Sequence, residues 1–135
     1  SLVQKNIIRY NEYVMDSILS ITYIHLERMI FLKKCRITVV RQTVYEDLMA
    51  QYENPIEHAC DMRVGQVFIA NGWQRPEGLC LSAWESMSPF VMALAHGGGN
   101  FYDGWMKNPH SAMISCNDGF RPVSFLIEAL DEEAD

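Results

Sequence analysis

The chain has 135 residues, of which 49% are hydrophobic and 21% are charged, so it fits one domain with a modest core and is not globally disordered. Residues 1–49 carry seven Lys or Arg against five Asp or Glu, whereas residues 50–135 carry four against twelve. Nucleic-acid binding depends on clustered Lys and Arg that neutralise phosphates, so we expect no nucleic-acid partner. No apolar run reaches the roughly 18 residues of a membrane span, so we expect no membrane partner either.

The N-terminal segment, residues 1–32, is predicted to be a helical extension. Apolar residues recur in it at spacings of three and four, which is typical of an amphipathic helix: Val3, Ile7, Tyr10, Val14, Ile18 and Ile21. One interpretation is a helix that docks on the domain or on a protein partner, or that mediates self-association. The other is a non-native leader over residues 1–28, because its Ile, Tyr, Asn and Lys content is typical of translated AT-rich upstream sequence.

The rest of the chain is predicted to be a single α+β domain over 33–130, of order β-α-β-α-β-β and mostly antiparallel, followed by an acidic tail over 131–135. The first two strands are predicted at 35–41 and 64–70, where β-branched residues are frequent. A short helix is predicted between them, over 44–52.

A second helix of the domain is predicted over 83–95. Ser82 and Glu85 have the spacing of a capping box, in which their side chains bond the free N–H groups of the first turn. Pro89 allows either one kinked helix or two short ones, and Gly97 ends the segment. Its buried face is expected to carry four apolar residues: Trp84, Met87, Val91 and Leu94.

The last two strands are predicted to form a hairpin around Asp118-Gly119. An Asp-Gly pair between two β-type runs indicates a type I′ turn, which needs φ > 0 at both central positions. This turn places Cys116 directly across from Arg121, and a cationic neighbour favours the reactive thiolate. One face of the hairpin is then expected to face the core: Ala112, Ile114, Cys116, Val123, Phe125 and Ile127.

The four cysteines are well separated along the chain, at positions 35, 60, 80 and 116. Their spacing matches neither a compact disulfide scaffold nor a C-x-x-C zinc or thioredoxin motif. The sequence shows no secretory signal pattern. We therefore expect free thiols in a reducing, cytoplasmic setting.

Four blocks within residues 33–130 resemble a family of small, uncharacterised prokaryotic proteins that have about a hundred residues and three recurrent cysteines. The blocks are GQVF at 65–68, PEGLC with AW at 76–84, GGNF with Trp105 at 98–105, and CNDGFRPV with Phe125 and Ile127-Glu128 at 116–128. The resemblance implies that Cys60, Cys80 and Cys116 are the family-type cysteines, and that Cys35 is incidental. Residues 1–32 have no counterpart in that family, and the resemblance implies no activity.

These three cysteines allow two kinds of chemistry. With His58 or His96 as a fourth ligand they make a Cys₃His set, which suits zinc, and thiolates also suit iron. Alternatively, they serve as a nucleophilic or redox centre together with Arg121, since one of them precedes a predicted helix start. A third interpretation is that they are small buried apolar residues. The first two interpretations require the three thiols to converge in space.

The sequence contains no complete catalytic motif. The run Gly97-Gly98-Gly99 lacks the spacing of a dinucleotide site or a P-loop. Our first hypothesis is therefore a non-catalytic binding or accessory protein. The alternative is a cysteine-based metal-binding or thiol-redox protein, and whether any reaction is catalysed stays open at this point.

Overall fold

The computed structural model describes residues 1–30 and 32–135, and within them all side chains except those of residues 24–30. The chain divides into two compact units, Ser1–Phe31 and Leu32–Asp135. The first unit holds helix α1, Leu2–Ile30. Its side chains between residues 2 and 23 are exposed except for Val14 and Ser17, which are half-buried. No helix in the described part of the chain is long and apolar enough to cross a membrane.

The second unit is an α+β domain built on one antiparallel sheet. Its elements in chain order are β1 (Lys33–Gln42), α2 (Glu46–Tyr52), β2 (Val67–Asn71), α3 (Leu81–Ala95), β3 (Ser111–Ser115) and β4 (Val123–Glu133). The strand order across the sheet is β2-β1-β4-β3, and each neighbouring pair is antiparallel. This confirms the predicted fold class and element order. Because β4 continues to Glu133, most of the segment predicted as an acidic tail is strand.

The core lies between α3 and one face of the sheet. Alternate residues of the two central strands are fully buried on this face, which is what a strand with one covered face requires. The fully buried side chains of the core are Cys35, Ile37 and Val39 on β1, Ala70 on β2, Ala112 on β3, Phe125 and Ile127 on β4, and Ala83, Met87, Val91, Leu94 and Ala95 on α3. The core therefore joins residues that are more than ninety positions apart in sequence.

Helix α3 differs from its prediction at its start. It is one continuous helix that contains Pro89, and its N-cap is Cys80, without a side-chain capping bond. The predicted capping box at Ser82 is therefore wrong, because the helix begins at Leu81, two residues before its predicted start, and Ser82 lies in the first turn. Trp84, predicted to be buried, is half-buried and packs against the edge of the core.

The end of α3 follows the prediction at Gly97. This residue has φ = +85°, and the N–H groups of Gly97 and Gly98 donate to the carbonyls of Leu94 and Ala93. These two bonds form a Schellman motif, in which glycine supplies the left-handed conformation without a Cβ penalty.

The connection between β3 and β4 is a longer loop than the predicted two-residue turn. Residue 112 pairs with 127 and residue 114 with 125, two positions away from the predicted register. Neither Asp118 nor Gly119 has a positive φ, so the type I′ turn is wrong. Instead, the Asp118 carboxylate accepts hydrogen bonds from the backbone N–H groups of Phe120 and Arg121 at 2.8 and 3.1 Å, and so forms an Asx-type turn.

A shift of two residues leaves every side chain on its predicted face, because side chains alternate with a period of two. Ala112, Val123, Phe125 and Ile127 are indeed buried, and Ile114 and Cys116 are partly buried against the core. The pairing of Cys116 with Arg121 is wrong, however, because the backbone N–H of Cys116 donates to the carbonyl of Val123.

This loop geometry predicts that Gly119→Ala changes the free energy of unfolding by less than about 1 kcal/mol, and in the stabilising direction. A Cβ at this position would meet no atom within 4 Å. The matched control is Gly99→Ala, whose Cβ would overlap the backbone oxygen of Pro109 and should cost at least about 1 kcal/mol. Urea unfolding of both variants measures the difference. A clear loss of stability in Gly119→Ala would contradict this loop geometry and support the type I′ turn.

Candidate functional site

Three of the four cysteines line one cavity of about 170 Å³ at the end of the sheet where β4 begins. The cavity walls come from three separate stretches of the chain: the loop before β2, the start of α3, and the β3–β4 connection with the first residues of β4. The lining residues are Ala59, Cys60, Met62, Cys80, Ser82, Ala83, Cys116, Asp118, Arg121, Val123 and Phe125. The structure thus brings together Cys60, Cys80, Cys116 and Arg121, which are the candidate thiol-site residues from the sequence.

Two of these thiols are held against the cavity wall by backbone hydrogen bonds. The Cys60 sulfur accepts from the N–H of Met62 at 3.3 Å, and the Cys116 sulfur accepts from the N–H of Val123 at 3.3 Å. The loop that carries Cys60 is tied to β1, because the Gln42 amide donates to the Met62 carbonyl. Both cysteines are half-buried, and these backbone hydrogen bonds fix the positions of their sulfur atoms.

Cys80 is the exposed cysteine of the three and occupies the N-cap position of the 15-residue helix α3. It lies at the helix end where free N–H groups carry partial positive charge. The first turns of α3 are joined to the end of β3 and the loop that follows it by two hydrogen bonds. Asn117 donates its side-chain amide to the Ser82 carbonyl at 3.0 Å, and the Ser86 hydroxyl donates to the Ser115 carbonyl at 2.7 Å.

Arg121 lies on the cavity wall between two carboxylates. Its guanidinium donates to Glu53 at 2.5 Å and to Asp118 at 3.4 Å, and the Arg121 and Glu53 side chains are 18% and 14% exposed. The hydrogen bond to Glu53 and both negative charges raise the pKa of Arg121, although burial acts the other way. Burial would raise the pKa of Asp118, but backbone hydrogen bonds and the Arg121 charge hold it below its usual value. The guanidinium is therefore committed to these carboxylates.

The metal site, one of the interpretations of the three cysteines, is not assembled in the part of the chain that the structure describes. Within the described residues, no three or more His, Cys, Asp or Glu side chains are arranged to hold a metal ion. His58 is exposed and pairs with Asp61 at 2.5 Å, and His96 bonds the Met92 carbonyl at the opposite end of α3 from Cys80. The thiols and imidazoles present therefore do not fit a zinc or iron centre.

Cys35 stands apart from the other cysteines. It is fully buried on β1, where its thiol points at the Val91 carbonyl of α3, and it is not among the cavity-lining residues. Burial raises the pKa of Cys35 to about 11, so this thiol stays protonated at neutral pH. It packs as a small apolar residue.

Sequence reasoning missed the two carboxylates that hold Arg121. The Asn-Asp-Gly run is a turn signal in which Asp side chains bond the backbone, so the role of Asp118 in the loop was open to prediction. Glu53 carries no such signal, because it lies 68 residues from Arg121. The apolar wall formed by Met62 and Phe125 likewise depends on tertiary packing.

Comparison of the chain with protein-family models, with curated proteins and with solved structures finds no match. The resemblance to a three-cysteine prokaryotic family therefore stays a prediction from the sequence blocks.

Proposed function

We propose that this domain is a thiol–disulfide redox protein whose reactive groups are Cys60, Cys80 and Cys116. The observation that carries the proposal is their placement around one cavity, although they come from three separate stretches of the chain. Cys35, which packs as a core residue, is fully buried and does not line this cavity.

The exposed thiol, Cys80, is the group that an incoming disulfide meets first. Its thiolate attacks one sulfur of the disulfide, forms a mixed disulfide and releases one thiolate of the partner. A second cavity thiol, Cys60 or Cys116, then loses its proton and attacks the Cys80 sulfur, which releases the other half of the partner. Two protein thiols are oxidised to one disulfide, and the partner disulfide is reduced to two thiols, so electrons and atoms balance.

The surroundings of the thiols suit this exchange better than metal binding. Ala59, Met62 and Phe125 form an apolar part of the cavity wall. The cavity, of about 170 Å³, has room for a small partner next to the sulfur atoms. The proposal includes a reducing, cytoplasmic setting, in which the thiol form is restored after each cycle. It also uses the same three cysteines that the family resemblance selects.

The first hypothesis, a non-catalytic binding protein, uses the same cavity without exchange. Self-association through helix α1, many of whose apolar side chains are exposed, stays a prediction beside it. The two functions differ in whether the thiols react, and this makes them separable by experiment.

The test is to incubate the reduced full chain with 2-hydroxyethyl disulfide, a small neutral probe, and to follow free thiols and disulfide-linked peptides. We expect two of the four thiols to be lost as one intramolecular disulfide that includes Cys80, while Cys35 stays free. Cys80→Ser should slow the reaction at least tenfold, because the accessible nucleophile is gone. Cys35→Ala is the matched control and should react as the parent does.

Thiols that stay unreacted in the folded protein would overturn the redox proposal and favour the binding protein. Reaction confined to isolated mixed disulfides, with no intramolecular bond, would do the same. Loss of the reaction in Cys35→Ala as well as in Cys80→Ser would show that the effect comes from a damaged fold.

A further inference from the structure

We infer that the cavity selects disulfide partners that carry positive charge next to the sulfur atoms, such as amine-bearing disulfides, over those that carry carboxylates. This inference names a substrate class for the proposed thiol chemistry and depends on that proposal. It is carried by the charges on the cavity wall, which the exchange step does not itself use.

Asp118 and Arg121 line the cavity, and Glu53, outside the lining, bonds Arg121, so this charged cluster has an excess of one negative charge. Glu53 and Asp118 hold the single guanidinium of Arg121 between them, and both guanidinium Nη atoms are engaged in these contacts. An anionic partner would have to displace one of these carboxylates before it reached Arg121. A cationic partner meets the uncompensated carboxylate charge directly, and Asp118, with a side chain that is 33% exposed, is the more accessible of the two.

The wider surface has the same sign. The domain, Leu32–Asp135, contains eight Lys or Arg against fourteen Asp or Glu, so it repels an approaching anion. Arg75 is a positive charge near Cys80 and would attract an anion. Its guanidinium donates to the carbonyl of Leu79, the residue before Cys80, at 3.4 Å. Neither Arg75 nor Leu79, to which it donates, lines the cavity, whereas Glu53 is bonded to a lining residue, Arg121.

The expected preference follows from Coulomb's law. Attraction between two unit charges about 7 Å apart in a water-like dielectric raises a rate about threefold. Repulsion between two like charges at the same distance lowers it about threefold. A singly charged arm near the wall should thus give a cation-to-anion rate ratio of about ten at low salt. Since the Debye length shrinks from about 30 Å at 0.01 M to about 3 Å at 1 M, the ratio should approach one at high salt.

The experiment compares three small disulfides: cystamine, which is cationic, 2-hydroxyethyl disulfide, which is neutral, and dithiodiglycolate, which is anionic. Each rate with the full chain is divided by the rate of 2-mercaptoethanol with the same probe, which removes differences in intrinsic reactivity. We expect the normalised rates to fall in the order cationic, neutral, anionic at 0.01 M ionic strength, and to converge at 1 M.

Glu53→Gln tests whether the preference comes from the cavity wall. It removes one negative charge but keeps an oxygen that accepts from Arg121, so the ratio should fall to near one. Asp131→Asn is the matched control: it makes the same charge change on a fully exposed side chain, eight residues along β4 from Val123 and so about 26 Å away. Its ratio should equal that of the parent.

The outcomes separate this inference from the proposed function. Equal or inverted normalised rates in a parent that reacts with the probes would overturn the charge selection and leave the thiol chemistry in place. Equal effects of Glu53→Gln and Asp131→Asn would assign the preference to net charge and also overturn the inference. A parent that reacts with none of the three probes would overturn the proposed function, and the inference with it.

Discussion

Replacing Phe125 by alanine is expected to lower the free energy of unfolding by about 3–5 kcal/mol. Phe125 is fully buried on the central strand β4 and is the largest of the fully buried side chains. Truncation removes its apolar contacts and joins the vacated space to the cavity, whose wall it forms. Urea unfolding followed by far-UV circular dichroism measures the change.

Leu126→Ala is the matched control for this prediction. Leu126 is the next residue of the same strand, but it points to the opposite face of the sheet and is only half-buried. Its truncation should cost less than half as much as that of Phe125. Equal losses from both variants would mean that the two faces of the sheet are equally packed, against the observed burial.

Replacing Glu53 by alanine is expected to cost about 2–3 kcal/mol, because a charged hydrogen bond is lost and Arg121 keeps a partly buried charge with only Asp118 to balance it. The bond also joins the chain after α2 to the β3–β4 connection, so its loss should loosen the wall of the cavity. The measurement is again urea unfolding at neutral pH.

Glu128→Ala provides the comparison, since Glu128 pairs with Arg36 at 3.2 Å on the more exposed face of the sheet. An exposed pair of this kind contributes about 1 kcal/mol or less. A cost for Glu53→Ala no larger than that of Glu128→Ala would show that Arg121 is not held by Glu53 in solution.

The same carboxylate cluster predicts a pH dependence. The pKa of Asp118 is lower in the folded protein than in the unfolded chain, so the ionised carboxylate contributes stability that is fully present above its usual pKa near 3.9. That contribution is lost as the pH falls through the lower folded-state pKa. Asp118→Asn keeps an oxygen for the loop hydrogen bonds but removes the charge, so its deficit relative to the parent should shrink below about pH 4.

Local pattern alone determined the elements of this protein and the faces they bury. The alternation in residues 123–127 predicted which side chains of β4 are buried, and the prediction survived a two-residue error in register because alternation has a period of two. The helical spacing over 83–95 likewise predicted Met87, Val91 and Leu94 as core residues. These signals are local, since they arise from the geometry of one strand or one helix.

Element ends were less accessible to sequence reasoning. Ser82 has a capping pattern, yet α3 begins at Leu81, with Cys80 as its N-cap and no side-chain capping bond. Asp118 and Gly119 have the pattern of a two-residue turn, yet Asp118 bonds the backbone ahead of it and a longer loop results. In the second case a competing local interaction, the Asx-type turn, was equally compatible with the residues.

The sequence by itself determined the α+β order and most of the buried faces, and its resemblance to a three-cysteine family selected Cys60, Cys80 and Cys116 as candidates. Only the tertiary structure decided that these thiols share one cavity and that Glu53 and Asp118 occupy Arg121. The physical reason is distance along the chain. A contact between residues 68 positions apart depends on how sheet, helix and loops pack together, and no local spacing encodes it.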